Sequence, residues 1–185
     1  MEDRLETLAS GIRGLLAGRV FSEDGRELPA VVASLLRERG VSLAVAESCT
    51  GGLLAARLTD VPGSSAFFER GFVTYSNRAK VELLGVPADL IEAQGAVSEA
   101  VAAAMAAGAR RAASTDIGIG ITGIAGPDGG TPEKPVGTVF VAFDGAAGTR
   151  VRQALYPGDR ERVRHQATQS ALEMLRRGLL GLPPL

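Results

Sequence analysis

Between residues 116 and 156 three short apolar runs follow one another with no helical segment between them, and this restricts the available folds most. The runs are "DIGIGITGI" (116–124), "VGTVFVAF" (136–143) and "TRVRQALY" (149–156), joined by a Gly/Pro loop, "AGPDGGTPEKP", and a tight turn, "DGAAG". Strands connected this directly lie antiparallel. Two earlier apolar runs, "VSLAVA" (41–46) and "FFERGFVTYSN" (67–77), are each followed by helical sequence. Strands separated by helices are joined by right-handed crossovers and run parallel. The chain therefore reads as an α/β protein, a three-layer α/β/α sandwich with a mixed parallel/antiparallel sheet.

The helices follow from period and punctuation. Residues 3–17 carry one apolar stripe, Leu5, Leu8, Ile12 and Leu15/Leu16, and residues 28–39 form a second helix with Gly40 as its stop. "GGLLAARLTDV" (51–61) ends at Pro62-Gly63, and "RAKVELLGV" (78–86) is short and closed by Gly85 and Pro87. "VSEAVAAAMAAGARRAAS" (97–114) is Ala-rich with Ser98 as its N-cap, and residues 159–180 close the chain with the stripe Val163, Ala167, Ala171, Met174/Leu175. The expected order is α-α-β-α-β-α-α-β-β-β-α. One domain spans 28–182, and 1–27 reads as a helical extension.

Bulk properties exclude several functions. The chain has 185 residues, 45% hydrophobic and 22% charged, with a net charge of −1; that balance suits a soluble globular fold and lacks the clustered basic excess of a nucleic-acid binder. Aromatic residues are only 4%, which argues against a base-stacking platform. The longest apolar run, "AVAAAMAAGA" at 100–109, is half a membrane span. Cys49 is the sole cysteine and the start, "MEDRLETLAS", resembles no secretory signal, so a cytoplasmic protein is expected. The Ala-rich helix suits close packing, compatible with a homodimer.

In such a sheet ligands bind beyond the carboxyl ends of the parallel strands. "ESCTGG", "TYSN", "TGIAGPDGG" and "YPGDR" then fall on one edge, if the last strand returns to the direction of the first after two reversals. "ESCTGG" suits a strand-to-helix turn capped by Ser48 or Thr50, and equally a nucleophile at a helix N-terminus, where amides and dipole favour negative charge. The glycines at 123, 126, 129 and 130 suit a floppy hairpin or a nest of amides over an anion. Lys80 reads as a surface residue unless its amine turns toward the crevice. Arg160 and Arg164, i and i+4 on one helix, suit surface ion pairing or phosphate binding. His165 sits inside that helix beside Arg164, a poor place for the base of a Ser-His-Asp triad. One histidine and no HExxH leave a metal site without support. If a serine is the nucleophile, Lys80 is the best-placed base.

Together "AESCTGG", "GSSAFFERGFVTYSNRAK", "GAVSE", "TGIAGPDGGTPEKPVGTVFVAF" and "PGDRERVRHQA" resemble the CinA C-terminal domain family, over about residues 30–178. The resemblance implies hydrolysis of the carboxamide of nicotinamide mononucleotide to nicotinate mononucleotide and ammonia, in pyridine-nucleotide recycling, with no cofactor. Ser48 would be the nucleophile and Lys80 its base. Tyr75 and Thr122, with the adjacent Gly123 and Thr50, match pocket positions, and Arg160, with Arg164 as companion, matches a substrate-contacting arginine. Many family members follow a larger N-terminal domain, whereas here only a helical segment precedes, so that domain's activity is not expected. Two alternatives stand beside this reading: a cysteine amidase using Cys49, whose thiol is the better intrinsic nucleophile, and a non-catalytic nucleotide-binding module that needs the glycine loops and arginines but not Lys80.

Overall fold

Five strands form one sheet in the order β2-β1-β3-β4-β5. The computed structural model describes residues 2–16 and 18–183. β1 (Leu43–Glu47) pairs in parallel with β2 (Phe68–Val73) and with β3 (Ile117–Gly123). β3 pairs antiparallel with β4 (Thr138–Gly145), and β4 antiparallel with β5 (Gly148–Leu155). Two reversals return β5 to the direction of β1, so the mixed sheet expected from residues 116–156 is present. The residues after β1, β2, β3 and β5 all leave the sheet at one edge.

Period-2 alternation sorts side chains between two helical layers. Leu43, Val45, Ile117, Ile119, Ile121, Val139 and Val141 face a core closed by α2 (Leu28–Arg39), α3 (Leu53–Thr59) and α7 (Arg160–Leu180). Ala44 and Ala46 face the opposite layer, where α4 (Asn77–Leu84), α5 (Ala88–Gln94) and α6 (Glu99–Ala113) lie. Full burial of each aliphatic side chain contributes about 1.5–3 kcal/mol. The inner strands β1, β3 and β4 are buried on both faces and so read as nearly continuous apolar runs, whereas the edge strands β2 and β5 are largely exposed.

Two elements went unread in the sequence: α5, entered through Pro87 and closed by Gly95, and a 3-10 turn at Ser64–Ala66. Each is a single short element with too few apolar positions for a periodic signal. β2 is shorter than the expected 67–77, because after Val73 only the Thr74 amide continues the pairing, donating to the Glu47 carbonyl at 2.8 Å. The first helix, α1, spans Glu2–Leu15; residue 17, the end of the stretch expected to be helical, lies outside the described residues. The apolar stripe of α1 faces outward, with Leu5 and Leu8 each 63% exposed and Leu15 87%.

The Ala-rich helix has a use within the chain. α6 lies on β3, and the glycines of "IGIGI" (117–121) let it come close: a Cβ on Gly120 would overlap the Ala102 carbonyl oxygen and stand 2.7 Å from the Ala106 amide nitrogen. Small residues on both surfaces therefore set this helix–sheet distance, and the alanine face gives no separate support to a homodimer. Among the described residues no helix is long and apolar enough to cross a membrane.

Candidate active site

The site begins at the end of β1. The Ser48 amide donates to the Ile121 carbonyl at 3.0 Å, extending the β1–β3 pairing by one residue. The chain then turns through Gly51 (φ 59°) and Gly52 (φ 93°) into α3. Those left-handed conformations explain why two glycines follow "ESCT". Glu47, 1% exposed, reaches under the turn, and its carboxylate accepts from the amides of Gly52 (3.1 Å), Leu54 (3.0 Å) and Ala55 (2.8 Å). A buried carboxylate costs several kcal/mol to desolvate; three charge-assisted amide bonds at the positive end of a helix offset that cost.

α4 delivers the lysine. Ser76 caps it, accepting from the Ala79 amide at 3.1 Å, and Lys80 follows one turn in. Lys80 is not a surface residue: it is 1% exposed, and its Nζ lies 2.9 Å from the Thr74 carbonyl oxygen and 3.2 Å from Ser48 Oγ. Burial holds its pKa below the usual lysine value, opposed only by Cys49. Thr74 thus joins both partners through its backbone, its amide on Glu47 and its carbonyl on Lys80.

Ser48 and Lys80 open into a cleft of about 300 Å³ that Tyr75, Thr122, Gly123 and Arg160 also line. Arg160 donates to the Gly126 carbonyl at 2.9 Å and to the Tyr75 hydroxyl at 2.8 Å, which leaves further guanidinium N–H groups for a ligand. Thr122 donates to the Ala96 carbonyl at 2.8 Å, fixing the wall opposite Ser48. Six of the eight residues singled out in the sequence thus come together. The other two do not reach this cleft. Thr50 is wholly buried, with no hydrogen-bond partner for its hydroxyl among the described residues. Arg164 donates through Nε (3.3 Å) and Nη2 (2.8 Å) to the Thr50 carbonyl. With the exposed His165 it lines a neighbouring open groove that shares Arg160.

Cys49 borders the cleft but is 6% exposed, and its thiol is pushed up to about 12, chiefly by burial and further by Glu47. A thiol so rarely ionised is a poor nucleophile. Among the described residues no acceptor takes the amides of Ala125 or Gly126, which line the cleft, so these donors are free for an anion there. The α3 amides are not, because Glu47 holds them. Sequence reasoning missed Glu47, whose signal was an acid just ahead of a helix start, along with Asn77 and Asp128 on the cleft wall. Thr74 offered no signal, since it acts through its backbone.

The model of the CinA C-terminal domain family matches residues 25–179. A CinA-like protein of Geotalea daltonii is 56% identical over 171 residues, covering 92% of this chain and 41% of that protein. A putative competence-damage inducible protein of Symbiobacterium thermophilum is 51% identical over 187 residues, covering 96% and 44%. The chain thus spans about two fifths of the length of these curated relatives. Among solved structures, a CinA superfamily protein from Klebsiella pneumoniae superposes with a TM-score of 0.80 at 40% identity, covering 83% of this chain and 96% of that one. The competence/damage inducible protein CihA from Agrobacterium tumefaciens gives 0.80 at 40% identity, covering 87% and 98%.

Proposed function

The chain belongs to the CinA C-terminal domain family, and from that premise we propose that it is an amidohydrolase that converts nicotinamide mononucleotide to nicotinate mononucleotide and ammonia through a Ser48–Lys80 dyad. The observation that carries this reading is the 3.2 Å approach of Lys80 Nζ to Ser48 Oγ, with the lysine buried and the serine facing a cleft. The reaction is assigned to residues 28–182, with 1–27 as an appended helical segment.

An amide is a weak electrophile, and an acyl-enzyme divides its hydrolysis into two lower barriers. A neutral Lys80 amine donates one hydrogen to the Thr74 carbonyl and directs its lone pair at the Ser48 hydroxyl. It takes the hydroxyl proton as Oγ attacks the carboxamide carbon. The oxyanion develops where the free amides of Ala125 and Gly126, or the Cys49 amide directly after Ser48, can donate to it. The C–N bond breaks as Lys80 returns its proton to the leaving nitrogen, and ammonia departs. Water, deprotonated by the same amine, attacks the acyl carbon; the acyl C–O bond breaks as Lys80 returns that proton to Ser48 Oγ, and the acid leaves and ionises to the carboxylate. Arg160 lines the cleft and is assigned the phosphate, for which a guanidinium offers paired donors.

The test is ammonia release from nicotinamide mononucleotide by purified protein. Ser48→Ala should lose nearly all turnover while keeping its fold by circular dichroism, and Cys49→Ala should keep most of it. Activity in Ser48→Ala together with its loss in Cys49→Ala would make the thiol the nucleophile. No ammonia from the wild type would leave a nucleotide-binding module.

A further inference from the structure

We infer that Glu47 and Arg164 are positioning residues that clamp the turn carrying Ser48 from its two sides, Glu47 through the amides of residues 52–55 and Arg164 through the Thr50 carbonyl. The inference rests on Ser48 being the nucleophile.

The turn needs holding. Gly51 and Gly52, both at positive φ, give its backbone wide freedom. The helix that follows has seven residues, too short to hold itself by its own hydrogen bonds. The Glu47 carboxylate acts on amides that helix formation leaves without partners, and Arg164 acts on the Thr50 carbonyl, which also accepts from the Leu53 amide at 3.2 Å. From inside, the Glu47 carboxylate takes three amides of the entry to α3. From outside, the Arg164 guanidinium puts two donors on one carbonyl oxygen and lies 3.7 Å from where a Gly51 side chain would begin. Between these anchors stands Ser48, whose own amide is pinned to Ile121. The segment has little remaining freedom, and that fixes Oγ at 3.2 Å from Lys80. Arg164 thus acts through Ser48, one helical turn beyond Arg160, which faces the cleft itself.

A clamp and a phosphate ligand leave opposite kinetic signatures. Loss of a clamp lowers kcat, because misplacing a reacting atom by about 1 Å costs up to ~100-fold, and leaves ground-state binding alone. Loss of a phosphate contact raises KM. The variants are Glu47→Gln and Arg164→Gln. The readouts are kcat and KM for ammonia release, affinity for nicotinate mononucleotide, and the rate at which a fluorophosphonate labels Ser48, located by peptide mass. We expect kcat and labelling to fall together by roughly 10- to 100-fold, with KM and nucleotide affinity changed less than about threefold. Arg164→Lys, with one donor for the same carbonyl, should recover part of the loss. Should Glu47→Gln fail to fold, Arg164→Gln, on the groove side, carries the test alone. A tenfold rise in KM with kcat intact in Arg164→Gln would make it a phosphate ligand and overturn the clamp. So would wild-type rates of labelling in these variants. A wild type labelled at no serine would remove the nucleophile and the clamp together.

Discussion

At the scale of the residue, Lys80 carries the most consequence. Of the chain's 20 basic residues only Lys80 and Lys134 are lysines. The buried cation in the cleft is therefore one that can lose its proton, whereas arginine keeps its own to above pH 12. Burial lowers the Lys80 pKa; Cys49 would raise it only as a thiolate, and its thiol stays protonated up to about 12. In the proposed dyad the neutral amine is the working form, so kcat/KM should rise with pH along a limb that reports Lys80 and levels off below the ordinary lysine value of about 10.4. Lys80→Arg should be nearly inactive at every pH yet still bind nicotinate mononucleotide by calorimetry. Near-normal turnover in Lys80→Arg would end its role as base. Ser48, Lys80, Tyr75 and Arg160 were legible because each projects a functional side chain from a strand end or helix start onto one sheet edge. Thr50 and Arg164 were read for their side chains as ligands, but one lends its carbonyl and the other holds it. Glu47 was passed over although an acid just ahead of a helix start was visible, because its partners are backbone amides and the neighbouring hydroxyls and thiol drew the reading to themselves.

At the scale of the element, the approach of α6 to the sheet decides where β3 and the loop after it stand. Gly118 and Gly120 leave no Cβ beneath α6, and a methyl group on either would overlap a carbonyl oxygen of that helix. Gly108 shows the same closeness on the other side of α6, where a Cβ would overlap the Leu84 carbonyl oxygen at the end of α4. These contacts are backbone and cannot rotate away. Gly120→Ala should therefore cost about 1–3 kcal/mol by overpacking, read as a lower urea midpoint with an unchanged m-value. It should also lower activity, since Thr122 and Gly123 ride on the same strand. A midpoint equal to wild type would mean that α6 moves freely on the sheet. Strand direction, and the neighbouring of the last three strands, could be inferred from which runs had helices between them; the placement of β1 between β2 and β3 could not. The alanine and glycine runs were visible too, but nothing in them told a helix packed on its own sheet from one packed on a second copy. That distinction depends on β3 presenting its glycines to α6, which is a matter of register. The short α5 stayed hidden for lack of a second turn of apolar residues.

At the scale of the whole molecule, burying Lys80 for the proposed dyad carries a cost to stability, and the sign of that cost is testable. The Lys80 pKa is lowered in the folded chain, while in the unfolded chain it is about 10.4. Between those two values the unfolded state binds more protons, so stability rises with pH across the window. Below the folded value the ammonium form is buried at its full cost, and above about pH 10.4 neither state is protonated and the cost is gone. Lys80→Met keeps an unbranched stem of similar reach and removes the titration. It leaves the Thr74 carbonyl without its partner, an offset that does not change with pH, so the informative quantity is the slope of the stability difference and not its value. Urea unfolding at a series of pH values should show wild type gaining on Lys80→Met as pH rises from neutral toward about 10, then running parallel to it. Ser48→Ala should follow the wild-type slope, because the lysine stays buried in it. Parallel curves for wild type and Lys80→Met throughout would mean that Lys80 titrates alike in both states, and a lysine of that kind would be protonated at neutral pH and no base for Ser48.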